Sequence, residues 1–187
     1  MASFNFYHYG TDHIDYNKVN RISQPNFLSP NKPNGGLWLS PHYTESNDSW
    51  SKFCITNDFG DCRSGGVKVA VDGSRLLIVD DVKHIVDHVG LVKSKVYGDK
   101  LWGQGFNWPL LALYYDGLWL TDEGRKSHYQ YDLDDPMHYV FDMWDCNSVV
   151  LFNTNCIISQ ETVDGLSLDD ITIIKADYEE ECRLKWG

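Results

Sequence analysis

The spacing of apolar and polar residues marks out a chain of short, mixed elements. Phe4 to Gly10 is dense in aromatic residues and predicts an opening strand, which Gly10 ends. Residues 11 to 35 are rich in Asn, Pro and Ser and read as loop, with a helical turn near Tyr16 to Ile22. Gly36-Leu37-Trp38-Leu39-Ser40 predicts a short strand that Pro41 stops. From Ser49 to Asn57, the residues Trp50, Phe53 and Cys54 fall at i, i+3 and i+4, the spacing of one helix face. Val67 to Val71 alternates as a half-buried strand does, Asp72-Gly73 turns the chain, and Leu76 to Val79 is the continuous apolar run of a buried strand. Val82, Ile85, Val86 and Val89 carry a helical period over residues 82–92, behind a capping Asp80 or Asp81.

Residues 98–107 read as a Gly-rich loop, and Trp108-Pro109 opens a short helix through Tyr114, with Pro109 suited to the first turn. Leu118 to Leu120 and Val149 to Phe152 predict two further strands, and Ile171 to Ile174 the last one. Residues 122–143 are polar, charged and aromatic without a clear period. Short strands mixed irregularly with short helices predict an α+β fold rather than a doubly wound one, and with no linker in sight the chain reads as a single domain, residues 1–187. Gly36-Leu37-Trp38-Leu39-Ser40 is echoed by Gly117-Leu118-Trp119-Leu120-Thr121, which predicts two similar strands in one sheet.

Composition narrows the classes. Hydrophobic residues make up 42% of the chain and aromatics 14%, enough for a packed core and more than a disordered chain carries. No apolar run approaches the roughly 18–20 residues that span a bilayer. The first residues lack the basic start and apolar stretch of a signal peptide, so the expected location is cytoplasmic. Cys54, Cys62, Cys146, Cys156 and Cys182 contain no C-x-x-C pair and read as reduced thiols. A net charge of −11 argues against direct nucleic-acid binding, which needs a cationic surface. That charge serves solubility, and it also suits contact with a basic protein surface.

The chain lacks a P-loop, G-x-G-x-x-G, H-E-x-x-H and G-x-S-x-G, and Gly103-Gln104-Gly105 is too short for a nucleotide fingerprint. Of seven histidines only His84 and His88 share a helical i, i+4 spacing; without an acidic partner motif they read as a solvated helix face, and no metal site is expected. One ordered constellation remains: Tyr7-His8-Tyr9-Gly10-Thr11, then Lys32 to Ser40, then Trp50-Ser51-Lys52-Phe53-Cys54, then Trp144-Asp145-Cys146-Asn147-Ser148 leading into Val149 to Asn153. In this order it resembles the ADP-ribosyltransferase superfamily, in its bacterial and phage branch, over residues 4–158. Members open with a strand carrying His and then Gly-Ser or Gly-Thr, follow with an aromatic residue on a second strand, and place an acid on a late strand.

The resemblance implies a split β-sheet core with short peripheral helices and NAD as substrate. Nicotinamide leaves NAD through an oxocarbenium-like transition state, which a nearby carboxylate stabilises. On this resemblance His8 donates a hydrogen bond to a ribose hydroxyl or a phosphate-side group, Tyr9, Gly10 and Thr11 complete the nicotinamide side, Trp38 stacks on or lines its pocket, and Ser40 holds the site together. Asp145 and Asn147 occupy the acid-x-acid pattern; because the second position is Asn147, the charge falls to Asp145, with Glu161 and Asp142 as alternatives. The implied activity is transfer of ADP-ribose to a host macromolecule, a protein ahead of a nucleic acid, by a toxin, effector or phage-encoded modifier. The rival reading is a non-catalytic acidic protein on a degenerate form of the same fold, with Asp132 to Asp135 and Asp177 to Glu181 as its contact surface.

Overall fold

Two β-sheets and a helical layer are stacked so that one sheet is buried on both sides. The computed structural model describes residues 2–23, 32–46, 48–60, 62–93, 104–142 and 144–186. The first sheet holds β1 (Ser3–Tyr9), β3 (Gly66–Asp72) and β9 (Ile157–Val163) in the order β1-β3-β9, antiparallel throughout. The second holds β2 (Leu37–Leu39), β4 (Leu76–Val79), β7 (Gly117–Leu120) and β8 (Ser148–Leu151) in the order β2-β8-β7-β4. Its β4–β7 pair is parallel and the others antiparallel. A separate two-stranded ribbon of β5 (Leu91–Lys93) and β6 (Gln104–Phe106) sends Phe106 into the core. The helices are α1 (Trp50–Thr56), α2 (Lys83–Val89), α3 (Trp108–Tyr114), α4 (Asp122–Ser127) and α5 (Leu168–Trp186). The fold is α+β, as the pattern predicts. No helix among the described residues is long and apolar enough to cross a membrane.

Alternation along each strand assigns its side chains to layers. Val67, Val69 and Val71 of β3 and Phe6 of β1 face Leu37, Leu39, Val149 and Leu151 of the second sheet, forming the core between the sheets. The opposite face of the second sheet sends Leu77, Val79, Leu118, Leu120 and Val150 against Val82, Ile85, Trp108, Leu111, Phe141 and Trp144. Burial on both faces explains why its strands read as continuous apolar runs. Each fully buried aliphatic side chain contributes roughly 1.5–3 kcal/mol by leaving water.

The repeated Gly-Leu-Trp-Leu segments lie in one sheet, flanking β8 on its two sides. Their registers differ by one residue: Trp38 sits opposite Val150, whereas Trp119 sits opposite Val149. A one-residue offset in a pleated strand reverses the face of every side chain. Trp38 therefore packs against Trp144 on the helical side, and Trp119 packs edge-on against Phe4 and Phe6 between the sheets.

Local chemistry sets the helix ends. Ser49 accepts from the Lys52 amide, Asn107 from Leu110 and Thr121 from Gly124. The expected helix over residues 82–92 stops at Val89, because Gly90 takes a positive φ of 64° and β5 follows. The predicted strand at Ile171 to Ile174 is instead the second turn of α5. A capping box starts that helix: the Asp170 amide donates to Ser167 Oγ while Asp170 Oδ2 accepts from the Ser167 amide. Ile171 and Ile174 then meet Cys54, Cys62 and Leu166, leaving Ile173 51% exposed. At 19 residues α5 is no short peripheral helix. β9 escapes the sequence because its side chains are mostly half or fully exposed and pairing with β3 alone defines it. The Gly-rich loop expected at residues 98–107 lies outside the described residues as far as residue 103.

Two predictions concern packing. A Cβ on Gly124 would stand 1.8 Å from the Val79 carbonyl oxygen. Gly124→Ala is therefore expected to cost more than about 2 kcal/mol in urea unfolding, since backbone has to move to admit it. His128 is 1% exposed, and burial holds its pKa below the ordinary 6.5 against the opposing pull of Asp142. The unfolded chain therefore takes up this proton first, so the stability His128 provides is complete above about pH 6.5 and is lost as pH falls through the lower folded value. Unfolding at pH 7.5 and 5.5 should show acid destabilisation that is smaller in His128→Phe.

Candidate functional site

Outside the core, the two sheets meet where β1 approaches the end of β2. Tyr7 near the end of β1 and Ser40 just after β2 exchange two backbone hydrogen bonds, Tyr7 N–H to Ser40 O at 2.7 Å and Ser40 N–H to Tyr7 O at 3.0 Å. Beside this bridge opens a cleft of about 360 Å³, lined by Tyr7, His8 and Tyr9 from β1, Trp38, Leu39 and Ser40 from β2, Lys32, Trp50, and Asp145, Cys146 and Ser148 entering β8. Its volume lies at the lower end of the range for small-molecule sites.

Of the residues singled out in the sequence, the fold gathers His8, Tyr9, Trp38, Ser40 and Asp145 around this cleft. His8 Nδ1 lies 2.8 Å from the Trp38 carbonyl. A carbonyl only accepts, so Nδ1 carries the proton and Nε2 is the nitrogen left for a ligand. Tyr9 also packs against the seam between α1 and α5, and burial raises its hydroxyl well above the ordinary tyrosine pKa. Trp38 lies against Trp144 at 5.0 Å between ring centroids.

Ser40 is 2% exposed and turns its hydroxyl inward, donating to the Asn147 carbonyl at 3.0 Å and accepting from the Trp50 amide at 2.8 Å. Asn147 lies outside the cleft lining. Its side chain is committed elsewhere, Oδ1 accepting from Trp119 Nε1 at 2.8 Å and Nδ2 donating to Ser46 at 3.3 Å. Gly10 and Thr11 also fall outside the lining: Gly10 has a φ of 89° and bonds Gly65, and the Thr11 hydroxyl turns back on His13. Of the alternative acids, Glu161 is paired with Lys68 across β9 and β3, and Asp142 stands 3.7 Å from His128.

Sequence reasoning assigned Lys32 no role, yet its ammonium reaches Asp145 Oδ2 at 3.0 Å and sits 5.8 Å from the Trp38 ring centroid. The two residues are far apart in the chain, so no local pattern announces the pair. Behind the site, Asp48 pairs with Arg125, and its carbonyl accepts from the Asn147 amide at 2.7 Å. Burial, partly offset by Arg125, raises the Asp48 pKa. Cys146 lines the cleft, but burial pushes its thiol up to about 12, so at neutral pH it is protonated and a poor nucleophile. His84 and His88 stand exposed on α2, His88 near the Tyr115 hydroxyl. No group of three metal-ligating side chains occurs among the described residues. The arrangement offers a carboxylate, an ammonium, an imidazole and aromatic faces within one half-open cleft. No family model, curated protein or solved structure matches this chain.

Ser40→Ala would leave a buried amide and a buried carbonyl without the hydroxyl that joins them. A loss of about 1–3 kcal/mol is expected in chemical denaturation, with weakened ligand binding at the cleft.

Proposed function

We propose that the chain is an NAD-dependent ADP-ribosyltransferase that modifies a host macromolecule, a protein ahead of a nucleic acid. The observation that carries this reading is the convergence of His8, Tyr9, Trp38, Ser40 and Asp145, drawn from distant parts of the sequence, on one cleft. The meeting of two sheets at Tyr7 and Ser40 is in keeping with a split-sheet core of this class. In this reading NAD enters with its nicotinamide against Trp38 and its ribose near His8. As the bond to nicotinamide lengthens, positive charge grows on the ribose, and the Asp145 carboxylate offsets it. His8, anchored by the Trp38 carbonyl, offers Nε2 to a ribose hydroxyl. Asn147, its amide held by Trp119 and Ser46, has a structural part, so Asp145 is the acid of the pair.

A second reading has its own support. Residues 177–180 of α5 stand exposed and include Asp177, Glu179 and Glu180, on a chain of net charge −11. Such a surface suits a basic partner, and binding that collapses as salt rises would favour this non-catalytic alternative.

Purified protein incubated with labelled NAD in a bacterial lysate is expected to release nicotinamide and label a discrete band. His8→Ala and Asp145→Ala should each lower the rate about 10²–10³-fold with folding intact. Unchanged turnover in Asp145→Ala would refute its assignment, and absence of both signals, with no NAD binding by calorimetry, would favour the acidic interaction protein.

A further inference from the structure

We propose that Lys32 makes the cleft selective for phosphate-bearing ligands: a phosphate adjoining the bound ring and ribose draws the Lys32 ammonium off Asp145 and leaves that carboxylate bare beside the ligand. This rests on the nucleotide reading above and specifies the ligand chemistry it requires. Lys32 and Asp145 are the one permanently cationic and the one carboxylate side chain among the described residues lining the cleft. They are paired with each other at 3.0 Å, with side chains 28% and 44% exposed.

Water reaches both partners, so their attraction is screened and exchange for another anion is easy. A terminal phosphate, close to doubly charged at neutral pH, attracts an ammonium more strongly than a singly charged, solvated carboxylate does. Electrostatics makes the exchange necessary as well as possible. The chain carries a net charge of −11, and an anionic ligand entering beside Asp145 meets a like charge. Lys32 is placed to neutralise that anion. Its ammonium also lies near the Trp38 ring, so a ligand ring on Trp38 brings an attached phosphate within reach of the same side chain. In the empty cleft the pair keeps Asp145 neutralised, and ligand entry frees the carboxylate where a developing positive charge would need it.

Calorimetric titration with nicotinamide mononucleotide and nicotinamide riboside, which differ only by the phosphate, tests this. A merely acidic cleft favours the cationic riboside. The proposal requires the opposite, the mononucleotide binding at least about tenfold tighter. Lys32→Gln should shrink that preference to within about threefold, while Lys32→Arg, which retains the charge, should keep it. Asp145→Asn should tighten the mononucleotide several-fold by releasing Lys32, and weaken the riboside. In the double variant Lys32→Gln/Asp145→Asn the gain for the mononucleotide should shrink to what the lost repulsion from Asp145 supplies, and the difference from the single variant belongs to the lysine. Equal affinities in the wild type, or a Lys32→Gln variant that keeps the full preference, overturn the proposal and leave the transferase reading standing. Failure of both ligands to bind overturns the proposal, and failure of NAD itself to bind overturns the transferase reading with it.

Discussion

Ser40 is the knot on which the site depends. Its backbone joins β2 to β1 through Tyr7, and its buried hydroxyl joins the turn before β8 to the first residue of α1. A hydroxyl has one hydrogen to donate and lone pairs to accept, so one small side chain serves a carbonyl and an amide that would otherwise be buried unpaired. Among the described residues, all of the cleft lining except Lys32 lies on these segments. Asn147 extends the knot, fastening Trp119, Ser46 and the Asp48 carbonyl around the same turn.

That geometry divides labour between neighbours in sequence. Asp145 projects to the cleft mouth, Cys146 turns inward as a protonated thiol, and Asn147 points into the framework. An acid at the third of these positions would place its charge among Trp119 and Ser46, where an amide supplies both an acceptor and a donor. The asparagine therefore has a sufficient structural reason, and the proposed chemistry draws its charge from Asp145. The Lys32–Asp145 pair sets one positive side chain against one negative in the cleft of an acidic protein.

The strands of the second sheet, the Val67 to Val71 strand, α1 and α3 were legible because burial on one or two faces imprints a period on the residues. The missed elements carry no such imprint. β9 is an edge strand with little buried side-chain surface, and α4 is a single capped turn region among polar residues. The Ile171 to Ile174 run was misleading because β-branched residues favour strands, whereas the Ser167–Asp170 capping box and the groove beside α1 favour helix. At the site, His8, Trp38 and Asp145 were recoverable from ordered motifs; Lys32 was not, since an ion pair between residues 113 positions apart leaves no local signature.

By itself, the order of residues determined the α+β class, the identity of most buried strands and the short list of chemically capable side chains, because hydrophobic period and turn chemistry are local properties. Only the tertiary structure decided which of them meet. The one-residue register difference that sends Trp38 and Trp119 to opposite faces comes from pairing with β8, and Asn147 is turned away from the cleft by its bonds to Trp119 and Ser46. Such choices depend on contacts between distant segments, whose energies no window of sequence contains.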